Sequence, residues 1–114
     1  MLRQMATSLQ ELHRARARQC DALRHSVCRS LQHALREIYL PGTNVWVFGS
    51  LVQRGRFNEH SDIDLAVKEP PAGRSLFWLQ GELESRVGCA VDVLILAETR
   101  LRPKIEREGE LWTL

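Results

Sequence analysis

The hydrophobic period of the chain changes once, at Pro41 and Gly42, and this change restricts the fold to a mixture of helix and sheet. Before that point, apolar residues recur every three to four positions, as on one face of a long helix. After it, short β-rich runs alternate with shorter helical repeats. We therefore predict one α/β (α+β) domain, in which a long N-terminal helix precedes a short three-stranded mixed sheet flanked by helices. The predicted helices are residues 8–40, 76–87 and 102–107, and the predicted strands are residues 44–48, 62–67 and 91–96.

Capping signals place the ends of two of these helices. Ser8 and Glu11 have the spacing of a capping box, in which each side chain bonds the other residue's free N–H, so the first helix is predicted to begin there. Ser75 is a suitable N-cap for the second helix, and Gly88 is a suitable C-terminal stop.

Charge is distributed unevenly along the chain. Residues 1–40 carry seven Arg and three acids, a net charge of +4, whereas residues 41–114 carry nine Lys or Arg and eleven acids, a net charge of −2. Arginines interrupt the apolar stripe of the first helix, so we predict a projecting helical arm at residues 1–22 and a folded domain at residues 23–114. A solvated face is the simpler interpretation of these arginines, and contact with a partner or with nucleic acid is the alternative. The slightly acidic body argues against a dedicated nucleic-acid-binding protein.

Composition excludes further classes of protein. The 114 residues correspond to one domain. No run of about 18 apolar residues is present, and the N-terminus lacks the apolar core of a signal peptide, so we predict no membrane contact and a cytoplasmic location. The three cysteines are an odd number without metal-type spacing, which predicts free thiols in a reducing compartment.

Three of the chain's four aspartates lie at the starts of two predicted strands. Asp62 and Asp64 alternate with apolar residues, so both carboxylates are expected on one face of the second strand, about 7 Å apart. Such a pair repels itself unless a cation intervenes, and Mg²⁺ bound to triphosphate oxygens is the usual partner. Asp92 lies between apolar neighbours at the start of the third strand. A pair of solvated acids is the alternative interpretation of Asp62 and Asp64.

The expected topology brings these residues to one edge of the sheet. A crossover helix makes the second and third strands parallel, so that their N-terminal ends lie side by side. A short loop makes the first two strands antiparallel, which places Gly49 and Ser50, directly after the first strand, at the same edge. Free N–H groups and a hydroxyl in such a turn suit phosphate oxygens. We therefore expect a phosphate-binding turn beside the three carboxylates.

These residues resemble the signature of the DNA polymerase β nucleotidyltransferase superfamily, and most closely its minimal nucleotidyltransferases. The likeness consists of an apolar residue before Gly49-Ser50, a spacer of eleven residues, and then Asp62-Ile63-Asp64. Asp92 and the closing Ile-Glu-Arg-Glu-Gly at residues 105–109 are similar to minimal members as well. The likeness covers residues 23–112, nearly the whole predicted domain.

The resemblance implies a role for each residue. Gly49 and Ser50, with the N–H groups near them, would bind the β- and γ-phosphates. Asp62 and Asp64 would bind two Mg²⁺ ions together with the nucleotide, and Asp92 would complete the second metal site and help accept a proton. The implied enzyme is a Mg-dependent nucleotidyltransferase that moves a nucleotide, AMP by expectation, from Mg-NTP to a hydroxyl and releases pyrophosphate.

One part of the signature departs from the family. Many minimal relatives carry an arginine soon after Gly-Ser, whereas Leu51, Val52 and Gln53 follow here. Arg54 and Arg56 are therefore the candidates for an additional phosphate contact.

The resemblance also implies a partner. Minimal relatives are encoded beside a helical HEPN-type protein, and such pairs resemble toxin–antitoxin systems in which the nucleotidyltransferase, as antitoxin, modifies a tyrosine of the toxin with AMP. No second domain is expected within this length, so the partner or a homo-oligomer is expected to close the site. In the alternative, the chain is a catalytically idle module that neutralises its partner by binding alone. The presence of all three aspartates favours the enzyme.

Overall fold

In the computed structural model, the backbone is described for residues 2–114 and the side chains from Ser8 onwards. The described residues form three helices and four strands, and a short 3₁₀ turn follows the first strand. This is the predicted mixture of helix and sheet, and the three cysteines are free, as predicted. The elements are α1 (Leu2–Ile38), β1 (Asn44–Phe48), the 3₁₀ turn (Gly49–Val52), β2 (Ile63–Val67), α2 (Leu76–Val87), β3 (Val91–Ile95), α3 (Arg102–Glu108) and β4 (Glu110–Thr113).

The strands form one mixed sheet in the order β3-β2-β1-β4. β1 and β2 are antiparallel and β2 and β3 are parallel, which confirms the topology expected from the connections. The prediction of three strands is wrong by one, because β4 pairs antiparallel with β1 on the side away from β2. The Glu-Leu-Trp-Thr sequence of β4 has no β-branched run, so pairing with β1, and not local propensity, makes it a strand.

α1 extends further towards the N-terminus than predicted. It begins at Leu2, so the capping-box interpretation of Ser8 is wrong. The residues before Ser8 include Leu, Arg, Gln, Met and Ala, which are strong helix formers, and the helix therefore continues through the local cap signal. The signals of α2 are confirmed, because Ser75 Oγ accepts a hydrogen bond of 3.0 Å from the Trp78 N–H and Gly88 ends the helix.

Alternation along the strands gives the sheet a covered face and an open face. The odd-numbered residues of β1, β2 and β3 pack with α1 and α2 in one hydrophobic cluster. The even-numbered residues, among them Phe48, Asp64 and Asp92, point to the opposite face. α1 and α2 leave this face open, but it is partly covered, since Ala66 is buried and α3 lies beside Phe48 and Asp64. The cluster includes Val27, Leu31 and Leu35 of α1, Val45, Val47, Ile63, Leu65, Val91 and Val93 of the strands, and Leu79 and Leu83 of α2.

The first part of α1 carries exposed side chains. From Ser8 to Gln19, every side chain except that of Ala15 is exposed, and among the side chains described from Ser8 onwards the first buried one of the helix is Val27. The molecule is accordingly elongated, with extents of 63 × 29 × 22 Å. A separate role for residues 1–22 stays a prediction. Although α1 has 37 residues, neither it nor any other described helix is both long and apolar enough to cross a membrane.

Candidate active site

One edge of the sheet brings the turn after β1 next to two of the aspartates. Phe48, the last residue of β1, pairs with Asp64, and Asp64 pairs in parallel register with Asp92. Paired residues on neighbouring strands are about 5 Å apart and present their side chains on the same face. Gly49 follows Phe48 directly. The turn that begins at Gly49 and the carboxylates of Asp64 and Asp92 therefore lie at one edge of the sheet, as the expected topology predicted.

Gly49 packs directly against the carboxylate of Asp64. Its φ of +75° lies in the left-handed region, which residues with a side chain rarely adopt. A Cβ at this position would overlap Oδ2 of Asp64 and would lie 3.3 Å from Cγ. Both the conformation and the space thus require glycine, and the missing side chain lets the backbone of the turn approach the acid.

The carboxylates of this edge repel one another. Burial raises the pKa of Asp64 above its ordinary value, and the charges of Asp92 and Asp62 raise it further. Asp62 is therefore close enough to act on Asp64, although it lies just outside β2. A group of like charges on one face of a sheet is energetically unfavourable without a cation, and a bound cation would relieve this repulsion.

Local hydrogen bonds present Asp62 at this edge. Asp62 was predicted as the first residue of the second strand, but β2 begins one residue later, at Ile63. The preceding turn is held by Ser61, whose Oγ accepts a hydrogen bond of 3.0 Å from the Asn58 N–H. The N–H of Ile63 donates to the carbonyl of Ala90 at 2.8 Å, which fixes the start of β2 beside β3. Asp62 is exposed at the end of this well-defined turn.

Asp92 is exposed on β3, one of the two edge strands of the sheet. Its neighbours Val91 and Val93 are buried, and their N–H groups donate to side chains of α2. The acceptors are Oε1 of Glu84 at 3.0 Å and Oε1 of Gln80 at 2.9 Å. These bonds satisfy donors that an edge strand otherwise leaves free, and they hold Asp92 in register with Asp64.

A cavity of about 320 Å³ opens beside Gly49 and Asp64. These two are the predicted site residues in its lining, whereas Ser50, Asp62 and Asp92 do not line it. Ser50 lies in the 3₁₀ turn next to Gly49 and is half-buried. The cavity is lined by Phe48, Gly49, Gln53, Asp64, Leu101, Lys104, Ile105 and Glu108.

Sequence reasoning missed the residues that α3 contributes to this cavity. Leu101, Lys104 and Glu108 are three and four residues apart, so they share one face of a helical turn. Ile105 is 1% exposed and anchors the helix. At Gly109, a Cβ would clash with the backbone of both α3 and β1, so this glycine lets the end of α3 lie against β1. The spacing was visible in the sequence, but its relation to the aspartates was not.

The acids supply the oxygen ligands that Mg²⁺ prefers, but they do not form a closed metal site. Among the side chains that the structure describes, no group of three or more Asp, Glu, His or Cys residues converges closely enough to hold a metal ion. The register pair of Asp64 and Asp92, with Asp62 nearby, fits an open site that needs further oxygen ligands. A nucleoside triphosphate carries such oxygens.

Several solved structures are similar to this chain. The crystal structure of a toxin–antitoxin complex with AMP-PNP matches with a TM-score of 0.58 and 23% identity, over 75% of this chain and 73% of that chain. A mutant of the MntA–HpeT toxin–antitoxin complex matches with a TM-score of 0.55 and 23% identity, over 75% and 72%. These two show the fold. A protein assigned as a minimal nucleotidyltransferase is 31% identical over 82% of this chain and 93% of that chain, with a TM-score of 0.48.

The family is shown by the sequence itself. No curated protein matches the chain. The sequence model of the family described as "Polymerase beta, Nucleotidyltransferase", however, matches residues 43–112, which is more than half of the chain. The matched residues run from β1 into β4 and include Gly49, Ser50 and all three aspartates of the edge. The chain therefore belongs to the polymerase β nucleotidyltransferase family, whose fold it has.

Proposed function

We propose that this nucleotidyltransferase transfers AMP from Mg-ATP to a hydroxyl group, namely a tyrosine of a HEPN-type toxin, and so acts as the antitoxin of a cytoplasmic pair. The observation that carries the proposal is the register pair of Asp64 and Asp92 beside the glycine turn at Gly49. It combines two carboxylates with a backbone that can approach phosphate groups closely, on the open face of the sheet.

Each residue of the edge has a distinct task in this reaction. Asp62 and Asp64 would hold two Mg²⁺ ions together with the phosphate oxygens, and Asp92 would complete the second metal site. When bound, such ions would supply positive charge that neutralises the phosphates and favours loss of the proton from the attacking hydroxyl. The backbone at Gly49 and the hydroxyl of Ser50 bind the β- and γ-phosphates. A bond forms between the acceptor oxygen and the α-phosphorus while the bond to pyrophosphate breaks, and Asp92 helps accept the proton.

The position of the site supports a macromolecular acceptor. The three aspartates lie at an open face and edge of the sheet, and Asp62 and Asp92 are exposed. A tyrosine carried on another protein can therefore reach the edge without an opening motion of the domain. The similar toxin–antitoxin structures, one of them with AMP-PNP, support the choice of ATP and of a toxin as acceptor.

The substitution Asp92→Asn tests this proposal, because it is nearly isosteric and removes only a charge. Asp92 is exposed, so the variant should fold and bind its partner like the wild type. The charge is needed more in the transition state than in the ground state, so the transfer rate should fall by about a hundredfold or more. The measurement is transfer of label from α-phosphate-labelled ATP to the purified toxin partner, with a pull-down of the complex as the binding control.

The same experiment decides the alternative, a catalytically idle module that neutralises its partner by binding. The open arrangement of the acids is the observation that favours the alternative, since the described side chains form no closed metal site. If Asp92→Asn neutralises the toxin fully while transferring no label, neutralisation does not need the reaction. In that case the chain is a binding module, and the proposed enzymatic role is wrong.

A further inference from the structure

The three cations of α3 differ in their partners. Arg102 Nε lies 2.6 Å from Glu106 Oε1, and Arg107 Nη2 lies 3.8 Å from Glu108 Oε1. Lys104, on the same helix, takes part in no ion pair with any residue that the structure describes. One cation of the helix is therefore free to bind an anion from outside the chain.

Lys104 is also the cation that faces the candidate site. Of the residues that line the 320 Å³ cavity beside Gly49, it alone is positively charged, whereas Asp64 and Glu108 are acids. A triphosphate carries several negative charges, and a cavity with acids alone would repel it. The cavity therefore needs a cation of its own, and among its lining residues α3 supplies one.

Other basic side chains near the turn do not fill this role. Arg54 and Arg56 follow the 3₁₀ turn, but both are exposed and neither lines the cavity. Leu51, directly after Ser50, has no exposed surface and belongs to the hydrophobic core. The turn therefore contributes backbone groups and a hydroxyl, and the positive charge comes from another element.

We propose that Lys104 binds the phosphate chain of the nucleotide in this cavity, which Asp64 also lines. The assignment rests on the proposed function, because it takes a nucleoside triphosphate as the ligand. Ile105 anchors α3 in the interior, and the close contact at Gly109 holds the end of the helix against β1. The backbone of Lys104 is thus held in place, while its flexible four-carbon side chain lets the ammonium group reach the phosphates.

The direct test measures binding of Mg-AMP-PNP to Lys104→Gln by calorimetry. Loss of a charge-assisted contact should weaken binding by about ten- to a hundredfold. Two controls match the loss of charge: Arg102→Gln on the same helix, and Lys68→Gln at the opposite end of the sheet. Lys68 is the matched residue for this purpose, because Lys68 and Lys104 are the two lysines of the sequence. Both controls should bind like the wild type, and Lys104→Arg should keep part of the affinity.

The outcomes separate this inference from the proposed function. Wild-type affinity in Lys104→Gln, with binding intact in the wild type, overturns the role of Lys104 and leaves the proposed function standing. Equal losses in Lys104→Gln and in both controls show general electrostatics and also overturn it. A wild type that binds no Mg-AMP-PNP overturns the proposed function, and the role of Lys104 with it.

A measurement on the wild-type chain avoids any effect of substitution on folding. Acetylation of lysines with an amine-reactive reagent, read by mass spectrometry, compares Lys104 with Lys68 in one sample. Mg-AMP-PNP should slow the acetylation of Lys104 several-fold and leave that of Lys68 unchanged. Unchanged acetylation of Lys104 under saturating Mg-AMP-PNP contradicts the assignment.

Discussion

The two ends of the sheet differ in how their charged side chains are paired. At the end beside Gly49, the carboxylates of Asp64 and Asp92 repel each other, and Lys104 has no ion pair among the described residues. At the opposite end, where β1 begins and β2 ends, Glu37, Glu82 and Arg86 form ion pairs, and we call this the matched end, although Lys68 and Glu69 take part in no described ion pair there. Each end has a cavity, of about 320 Å³ at the acidic end and about 730 Å³ at the matched end. Size alone selects the matched end, whereas the group of carboxylates beside the glycine turn selects the acidic one.

The matched end owes its order to pairs between elements. Arg86 on α2 bonds to Glu37 of α1 and to Glu82 one turn earlier on its own helix. The guanidinium of Arg74 lies 4.5 Å from the centroid of the Trp78 ring, a cation–π contact. These charges are used within the chain, whereas Lys68 and Glu69, which also line the larger cavity, take part in no ion pair among the described residues.

Tyr39, at the matched end, is a titratable residue whose hydroxyl is also bonded within the chain. Its hydroxyl donates a hydrogen bond of 2.9 Å to the carbonyl of Glu69. Burial, and after it the charge of Glu69, raises the pKa of Tyr39 to about 12, so the residue remains a neutral donor. The described pairs of the matched end stabilise the fold, whereas the acidic end is the candidate site for a ligand.

The largest expected effect is that of Asp64→Asn on nucleotide transfer. Asp64 is the acid that contacts the turn and lines the cavity, so its loss should lower the rate several hundredfold or more. Asp21→Asn, which alters the one aspartate outside the site, is the matched control and should transfer at the wild-type rate. Equal rates in Asp64→Asn and Asp21→Asn would remove Asp64 from the site.

The same variant should be more stable than the wild type without ligand. Because the pKa of Asp64 is raised in the folded state, its charge opposes folding, and this contribution to wild-type stability should fall as the pH rises from the ordinary value of 3.8 through the raised value. Asp64→Asn lacks this loss, so its Tm should exceed that of the wild type at pH 7 and approach it in acid. A lower Tm at pH 7 would show that Asp64 stabilises the fold.

Gly49→Ala should have the next largest effect, on both activity and stability. The new methyl group meets Oδ2 of Asp64 and forces the carboxylate away, and the φ of +75° adds backbone strain of about 1–3 kcal/mol. Gly55→Ala separates the two causes, because Gly55 has a φ of +74° and open space around it. Both variants should lose stability in thermal unfolding, but Gly49→Ala alone should lose transfer, by about a hundredfold. Loss of transfer in both would point to the strain.

Substitution of two serines should give smaller effects, on nucleotide affinity alone at Ser50 and on stability alone at Ser75. Ser50→Ala removes the hydroxyl beside Gly49 and should weaken Mg-AMP-PNP binding about tenfold with an unchanged Tm. Ser75→Ala removes the N-cap of α2, where Oγ accepts from the Trp78 N–H, and should lower stability by about 1 kcal/mol without changing nucleotide affinity. Calorimetry and thermal unfolding of both variants measure the four values. A Tm loss in Ser50→Ala with normal affinity would make Ser50 only a turn residue.

The sequence predicted the acidic end better than the rest of the molecule. Asp62, Asp64 and Asp92 could be placed together because strand alternation and the two connections leave little choice of geometry. Lys104 could not be identified, since one lysine in a short helix has no signal until the packing of α3 on β1 is known. β4 was missed for the same reason, because its strand conformation depends on β1.

The pairs of the matched end were equally invisible in the sequence. The contact between Arg86 and Glu37 joins residues 49 positions apart, and nothing local marks them as partners. The capping box predicted at Ser8 is an error of another kind, because the local cap signal is present but the helix propensity of the preceding residues continues the helix through it. Short-range patterns thus predicted residue types and faces, and long-range packing decided which charges were matched.

The smallest expected effect is that of Arg86→Met, which tests whether the matched end is structural. The pair is solvent-accessible, so Tm should fall by only about 2 °C or less, and nucleotide transfer should not change. The hydrogen bond from Arg86, and then the charge of His33, lower the pKa of Glu37 in the folded state. This contribution to stability is present above the ordinary Glu pKa of 4.5 and is lost as the pH falls through the lowered value.

The Tm difference between the wild type and Arg86→Met should therefore be present at pH 7 and should close in acid. Arg36→Met is the control, because Arg36 is exposed on α1 and has no ion pair among the described residues. Its Tm should follow the wild type at every pH. If Arg86→Met instead reduces transfer while its Tm stays unchanged, the division between a structural end and a functional end of the sheet does not hold, and the 730 Å³ cavity takes part in the reaction.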